Sequence, residues 1–311
     1  MIPWEPEVLS RIRRLALVAR CAVEGVLHGE HPSRALASSV TFADYKPYAP
    51  GDPVRDLDWR VWARTDRLVV RRTQAESDLP VLLVLDASGD MSTRPGGSAG
   101  DRPPIEGNKA GYALGLLATL AWYLYLRREP VGLAVLGGED VPWRILSPRA
   151  GRHQLGSILG VLASVRPSGR ADLGRGLQVV AAGLRRRSML VLASDLMEEV
   201  ESWAPALHAL GRRRTDVRVL HLYDPRELDL QFPRPARFFS PEGGAPLALD
   251  PAGVREDFRA VVRAWTEEVR RAVTAWQGLY LPVPTDRPLA DPLFRLLSGG
   301  SRRPKPACGR A

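Results

Sequence analysis

The stretch "DLPVLLVLDASGD", residues 78–90, decides the fold. Apolar residues follow one another through "PVLLVLD" with valines among them, and the run is too short for a helix. That pattern is a strand covered on both faces. It ends in Asp86, Ser88 and Asp90, which place three oxygen-bearing side chains at i, i+2 and i+4. Either a tight loop gathers these oxygens around one point, as a metal-holding loop does, or the acids point separately into water. Two carboxylates about 4 Å apart repel by roughly 4 kcal/mol at an effective dielectric near 20. A real cluster therefore needs a cation, a basic side chain or a shared proton.

The same grammar recurs downstream. Strands are expected at "VGLAVLG" (131–137), "SMLVLASD" (188–195) and "DVRVLHLYD" (216–224), with a short one at "WRIL" (143–146). Helices are expected at 106–127, 153–165, 173–186 and 199–213. Buried strands alternating with helices imply an α/β fold, its mostly parallel central sheet covered by helices on both faces. Right-handed crossovers then bring the strand C-termini to one edge, where such folds bind ligands. Asp86 and Asp195 both end strands on that edge.

Outside this rhythm, residues 5–24 have helical spacing, with Leu9, Ile12, Leu15, Leu17 and Val18 as the apolar set. Pro47, Pro50 and Pro53 exclude a regular helix there, and "RLVVRRTQ" reads as a strand. "ARFFSPEGGAPLAL" (236–249) is a β-like excursion. A long helix is expected at 252–277, with Val261, Val262, Trp265, Val269, Val273 and Trp276 facing inward, followed by a short closing helix in "PLADPLFRLLSG". The implied domains are an N-terminal helix and β-rich subdomain at 1–77, the core at 78–225, the excursion at 226–250, C-terminal helices at 251–298 and a disordered tail at 299–311.

The 311 residues are 45% hydrophobic and 25% charged, an ordinary globular balance. Lys plus Arg outnumber Asp plus Glu by 44 − 35, or +9. A basic surface attracts nucleic acid, acidic proteins and anionic lipid alike, so its sign selects no partner. Cys21 and Cys308 have no metal-knuckle spacing and make a poor disulfide framework. Arg20 and Glu24 interrupt the N-terminal apolar run, so no signal peptide is expected. "AGYALGLLATLAWYLYL" (110–126) falls short of the roughly 20 residues of a membrane crossing. A cytoplasmic protein without a transmembrane segment is expected.

Beyond composition, "YKPYAPGDPVRDLDWRVWARTDRLVVRR" (45–72), followed about a dozen residues later by "DASGD", resembles the von Willebrand factor A-like family of bacterial and archaeal proteins known as domain of unknown function 58. The likeness keeps its order from about residue 38 to "TDRPL" (285–289). It implies a Rossmann-like von Willebrand A core carrying a metal-ion-dependent adhesion site at its top. In that pattern Asp-x-Ser-x-Ser supplies three ligands, a Thr on a second loop a fourth and an Asp on a third loop a fifth. Carried over, Asp86, Ser88 and Asp195 fit. Asp90 replaces the second Ser, and Ala171 stands where Thr is expected, with Asp172 beside it as a second-loop contributor. The implied cofactor is a divalent cation, Mg²⁺ first. The added charge of Asp90 and the missing Thr oxygen leave two forms open: an ion held more fully by the protein itself, or an acidic pocket that accepts Arg or Lys.

The resemblance also implies a non-enzymatic interaction or scaffold module. Its expected partners are a MoxR-type AAA+ ATPase and a client protein undergoing assembly or maturation. No G-x-x-x-x-G-K-S/T occurs, so ATP hydrolysis would belong to the partner. Acids alternating with arginines at 52–72 read as a charge network packed around Trp59 and Trp62, or as a docking surface using Trp59, Arg60 and Arg64. Two other function classes compete. A metal-dependent hydrolase would use Asp86, but Ser88 occupies the place of a second acid, and "DASGD" lacks the first Gly of a nucleophile elbow. A basic nucleic-acid-binding module would use Arg185–Arg187 and Arg212–Arg214, but no recognition motif accompanies them. His153 and His221 read as surface or structural residues.

Overall fold

β3 (Val81–Ala87) lies at the centre of a six-stranded sheet, and all seven of its residues are buried. The computed structural model describes residues 6–28, 44–48, 57, 59–72, 79–93, 107–137, 143–185, 187–230, 235–243 and 245–298. The strand order is β10–β7–β6–β3–β4–β5. Here β4 is Val131–Gly137, β5 Arg144–Arg149, β6 Met189–Ser194, β7 Asp216–Tyr223 and β10 Leu279–Pro284. All neighbours run parallel except β5, which pairs antiparallel with β4 at one edge. The expected mostly parallel sheet is the one observed.

Successive side chains of a strand face opposite sides, and the core divides accordingly. Val81, Leu83 and Leu85 pack with α3 (Lys109–Leu126), α4 (Arg152–Ser164) and α9 (Ala290–Ser298). Leu82 and Val84 pack with α5 (Leu173–Gly183), α6 (Val200–Arg212) and α8 (Pro251–Thr274). The N-terminal helix α1 (Pro6–His28) places Ala19 and Val23 in the first of these clusters, while Leu17 of its expected apolar set is 60% exposed.

Three local features depart from the sequence pattern. Strand β10 is masked in the sequence by Pro282 and Pro284, which an edge strand tolerates because one side of its ladder is open. Helix α8 ends at Thr274, so Trp276 lies beyond it and stacks on His208, with ring centroids 3.4 Å apart. Val261, expected inside, is 67% exposed, and Val269 and Val273 carry the buried face. Tight helix packing rests on Gly174, where an added Cβ would fall 2.1 Å from the Ser202 carbonyl oxygen.

The chain divides into two units, Met1–Val26 with Leu79–Ala311, and Leu27–Asp78. In the second, β1 (Asp44–Pro47) pairs antiparallel with β2 (Val69–Arg72), and α2 (Trp59–Thr65) lies between them in sequence. Within it Trp62, expected to pack, is 43% exposed, and Arg64 is exposed. Beyond the sheet, α7 (Pro225–Leu228) follows β7, and β8 (Ala236–Phe238) pairs with β9 (Leu247–Leu249) as the expected excursion. Most of the loop at 92–104, the tail at 299–311, Cys308 and the acids Asp52, Asp56 and Asp58 lie outside the described residues.

Candidate functional site

Strands β3 and β6 are neighbours from which the chain leaves toward opposite edges of the sheet, β3 toward β4 and β6 toward β7. Loops diverging from such a switch leave a crevice beyond the strand ends. Register sets its contents. Leu85 pairs with Ala193, so Asp86 comes beside Ser194, and Asp195 follows at the end of β6. The crevice is lined by Asp86, Ser88, Asp90 and Asp195, the four residues expected from the sequence, together with Glu198, Glu242 and the second-loop Arg170. Its free volume is about 40 Å³.

The first loop is tied down by the second. Gly89 N–H donates to the Gly169 carbonyl at 2.8 Å, and Ser168 N–H donates to Ala87 O at 3.2 Å. Asp86 is buried and already bonded through both oxygens. Its Oδ1 accepts from Ser88 N–H at 2.9 Å, and its Oδ2 accepts from the Ser194 hydroxyl at 2.5 Å. Even so, burial and the nearby Asp195 charge push its pKa up to about 7. Burial, then Asp195, likewise raises Asp90.

Sequence reasoning missed the group that balances these charges. Lys109, the first residue of α3, is buried, and its Nζ stands 2.9 Å from Asp195 Oδ2 and 3.0 Å from Glu227 Oε2. Asp195 Oδ2 has no hydrogen bond of good angle, so its contact with the ammonium is ionic. Burial opposes the charge on Lys109, but Asp195 and Glu227 outweigh it and hold its pKa above the usual lysine value. One signal was present. A cation in the first turn of a helix opposes the macrodipole, which implies a nearby anion.

Glu198 and Glu242 were also missed. Glu198 accepts from Leu173 N–H at 2.8 Å, joining the third loop to the start of α5, and burial raises its pKa. Glu242 reaches the crevice from the β8–β9 hairpin, whose Pro241 lies within 3.2 Å of where a Cβ on Gly89 would stand. Burial and Asp90 push its pKa up to about 6. No local spacing links either residue to "DASGD".

Asp172 is exposed and caps α5, accepting from Arg175 N–H at 2.8 Å, and it does not line the crevice. Ala171 is buried and offers no side-chain oxygen. Thus the second loop contributes no ligand, Asp195 already faces an ammonium, and Asp86 is satisfied by an N–H and a hydroxyl. As arranged, this donor set does not fit a hard divalent ion, which requires several free oxygens at short range. Among the described residues no group of three His, Cys, Asp or Glu side chains is placed to hold a metal.

Of the other sequence candidates, His153 is exposed. His221 is buried, with Nδ1 2.6 Å from the Tyr280 hydroxyl, and burial draws its pKa down to about 4. Arg213 is structural, its guanidinium donating to the Ala181 and Leu184 carbonyls at the end of α5. Arg64 is exposed in the second unit, and the side chains of Trp59 and Arg60 lie outside the described ones. No helix of the described residues is long and apolar enough to cross a membrane.

A family model described as "Protein of unknown function DUF58" matches residues 44–268. The uncharacterized protein Rv1480 of Mycobacterium tuberculosis is 26% identical over 303 residues, covering 96% of this chain and 91% of its own. The uncharacterized protein Mb1516 of Mycobacterium bovis matches to the same extent. Among solved structures, BatB from Bacteroides thetaiotaomicron is 13% identical over 71% of this chain and 99% of its own, with a TM-score of 0.41. The SpRpn10 VWA domain is 13% identical over 69% and 93%, with a TM-score of 0.38. The architecture is α/β, a mostly parallel six-stranded sheet with the crevice at the C-terminal ends of its central strands.

Proposed function

The chain belongs to the DUF58 family, and from that premise we propose that it is a non-enzymatic interaction module. In this reading, Asp86, Ser88, Asp90 and Asp195 form a variant adhesion site that takes a cationic side chain of its partner. The partner class is a MoxR-type AAA+ ATPase that supplies the nucleotide hydrolysis, and the task is assembly or maturation of a client protein. Trp59, Arg60 and Arg64 are proposed as a further docking surface.

The observation that carries this reading is the size and charge of the crevice. Substrate pockets occupy roughly 300–1,000 Å³, whereas this one offers about 40 Å³, lined by five carboxylates against the single guanidinium of Arg170. It admits the tip of one side chain rather than a small-molecule substrate. An incoming Arg or Lys would meet Asp90 and Glu242, whose pKa values are raised first by burial and then by neighbouring carboxylates, and a cation there would relieve that repulsion. A partner carboxylate would be repelled instead. The hydrolase alternative has no room for a substrate at Asp86. The nucleic-acid alternative loses Arg213 to helix capping.

Affinity capture from native lysate tests the proposal, with Asp90→Asn and Asp90→Lys beside wild type, each with Mg²⁺ and with chelator. Recovery of an AAA+ subunit by wild type in both conditions, and its loss with Asp90→Lys at unchanged melting temperature, is expected. Recovery by Asp90→Lys at the wild-type level would overturn the site. Recovery only with Mg²⁺ would replace the cationic side chain by an ion.

A further inference from the structure

A second cavity, of about 700 Å³, lies between α1 and the N-terminal half of α3 and opens beside α7 and the loop after β10. It is separate from the acidic crevice and about the size of a small-molecule site. Its two ends differ in chemistry. The floor is hydrocarbon, formed by Leu15 and Val18 of α1, Leu114 of α3 and Leu289. Gly115 deepens it, since a Cβ there would meet Leu289 Cδ1 at 3.1 Å. The mouth carries Arg11, Arg14 and Arg226 against Asp224 and Asp286, an excess of one positive charge.

The charges at the mouth are unevenly matched. Arg226 is bound to Asp224 at 2.9 Å, and Asp286 faces Arg287 at 3.9 Å. Arg11 differs, because its Nη1 is buried without a hydrogen-bond partner. A buried donor without an acceptor is costly, and an anionic ligand would supply the acceptor through a charge-assisted bond. The floor restricts the rest of the ligand. Its walls are mostly helical, and backbone N–H and C=O groups within a helix are bonded to one another. They offer nothing to the amides of a peptide, but they suit an alkyl chain.

We propose that this cavity binds a small amphiphilic anion, an aliphatic carboxylate or alkyl phosphate, with its tail on the Leu15–Leu114 floor and its head at Arg11. The head group enters beside Asn108, the N-cap of α3, one residue before the lysine that pairs with Asp195. The proposal does not depend on the partner reading above.

Calorimetric titration of the full chain with octanoate, octyl phosphate, octanol and inorganic phosphate tests it. Saturable binding of octanoate or octyl phosphate is expected, the tighter of the two identifying the head group. Octanol and inorganic phosphate should each bind at least about tenfold more weakly, because each lacks one half of the match. Arg11→Gln should weaken the amphiphile about tenfold without moving the melting temperature. Leu15→Trp should block binding by filling the floor. If neither amphiphile binds at about 1 mM, if octanol binds equally well, or if Arg11→Gln is without effect, the assignment fails.

Discussion

Replacing Lys109 by Met tests the electrostatic account of the crevice most directly. The Lys109 ammonium stands 2.9 Å from Asp195 and 3.0 Å from Glu227, with Lys109 and Asp195 side chains only 5% and 4% exposed. At these distances and an effective dielectric near 20, each contact is worth about 6 kcal/mol before desolvation. Several kcal/mol of desolvation per ion offset most of that, so the intact pair contributes little net stability. Removing one member alone is different, because Asp195 then stays buried without a counter-ion. The expected loss is about 3–5 kcal/mol, a fall in melting temperature on the order of 10 °C. In Lys109→Met/Asp195→Asn the orphaned charge is gone, and most of the loss should be recovered. Urea denaturation of wild type and the three variants, including Asp195→Asn alone, closes the cycle. A cost below about 1 kcal/mol for Lys109→Met, or a double variant as unstable as the sum of the singles, would refute the reasoning.

Other outcomes follow from the same geometry. Asp86 has its pKa raised from 3.8 to about 7, so between these values the folded state binds the extra proton and stability falls as pH rises. Asp86→Asn should therefore raise stability by a few kcal/mol at pH 8, with a much smaller effect near pH 4; equal effects at both would contradict the linkage. Titration with Mg²⁺, Mn²⁺ or Ca²⁺ should produce neither heat nor thermal shift, and saturable binding of any of them would overturn the misfit argued from Ala171 and Lys109. Ser194→Ala removes the donor to Asp86 and the acceptor of Leu196 N–H, and should cost about 1–3 kcal/mol by chemical denaturation. Gly174→Ala would drive a methyl group into the Ser202 carbonyl; a variant as stable as wild type would contradict the close packing of α5 on α6.

The strand at 81–87, the apolar helix after it and the aspartates ending β3 and β6 were legible because each is written locally. Length and β-branched residues distinguish a strand buried on both faces from a helix, and right-handed crossovers place such strand ends on one edge. The family resemblance added the departures at Asp90 and Ala171, and with them the choice between a held ion and an acidic pocket. Strand β10 escaped because prolines imitate a loop, and Trp276 escaped because helical periodicity does not announce where α8 stops.

The chain's own order of residues determined that carboxylates would gather beyond β3 and β6. What neutralises them was decided by tertiary structure alone. Lys109, Glu198, Glu227 and Glu242 reach this region from four different segments, and charges interact through space without regard to sequence separation. Whether clustered acids require a metal or an ammonium depends on which cation packing brings within about 3 Å, a distance that only the folded chain sets.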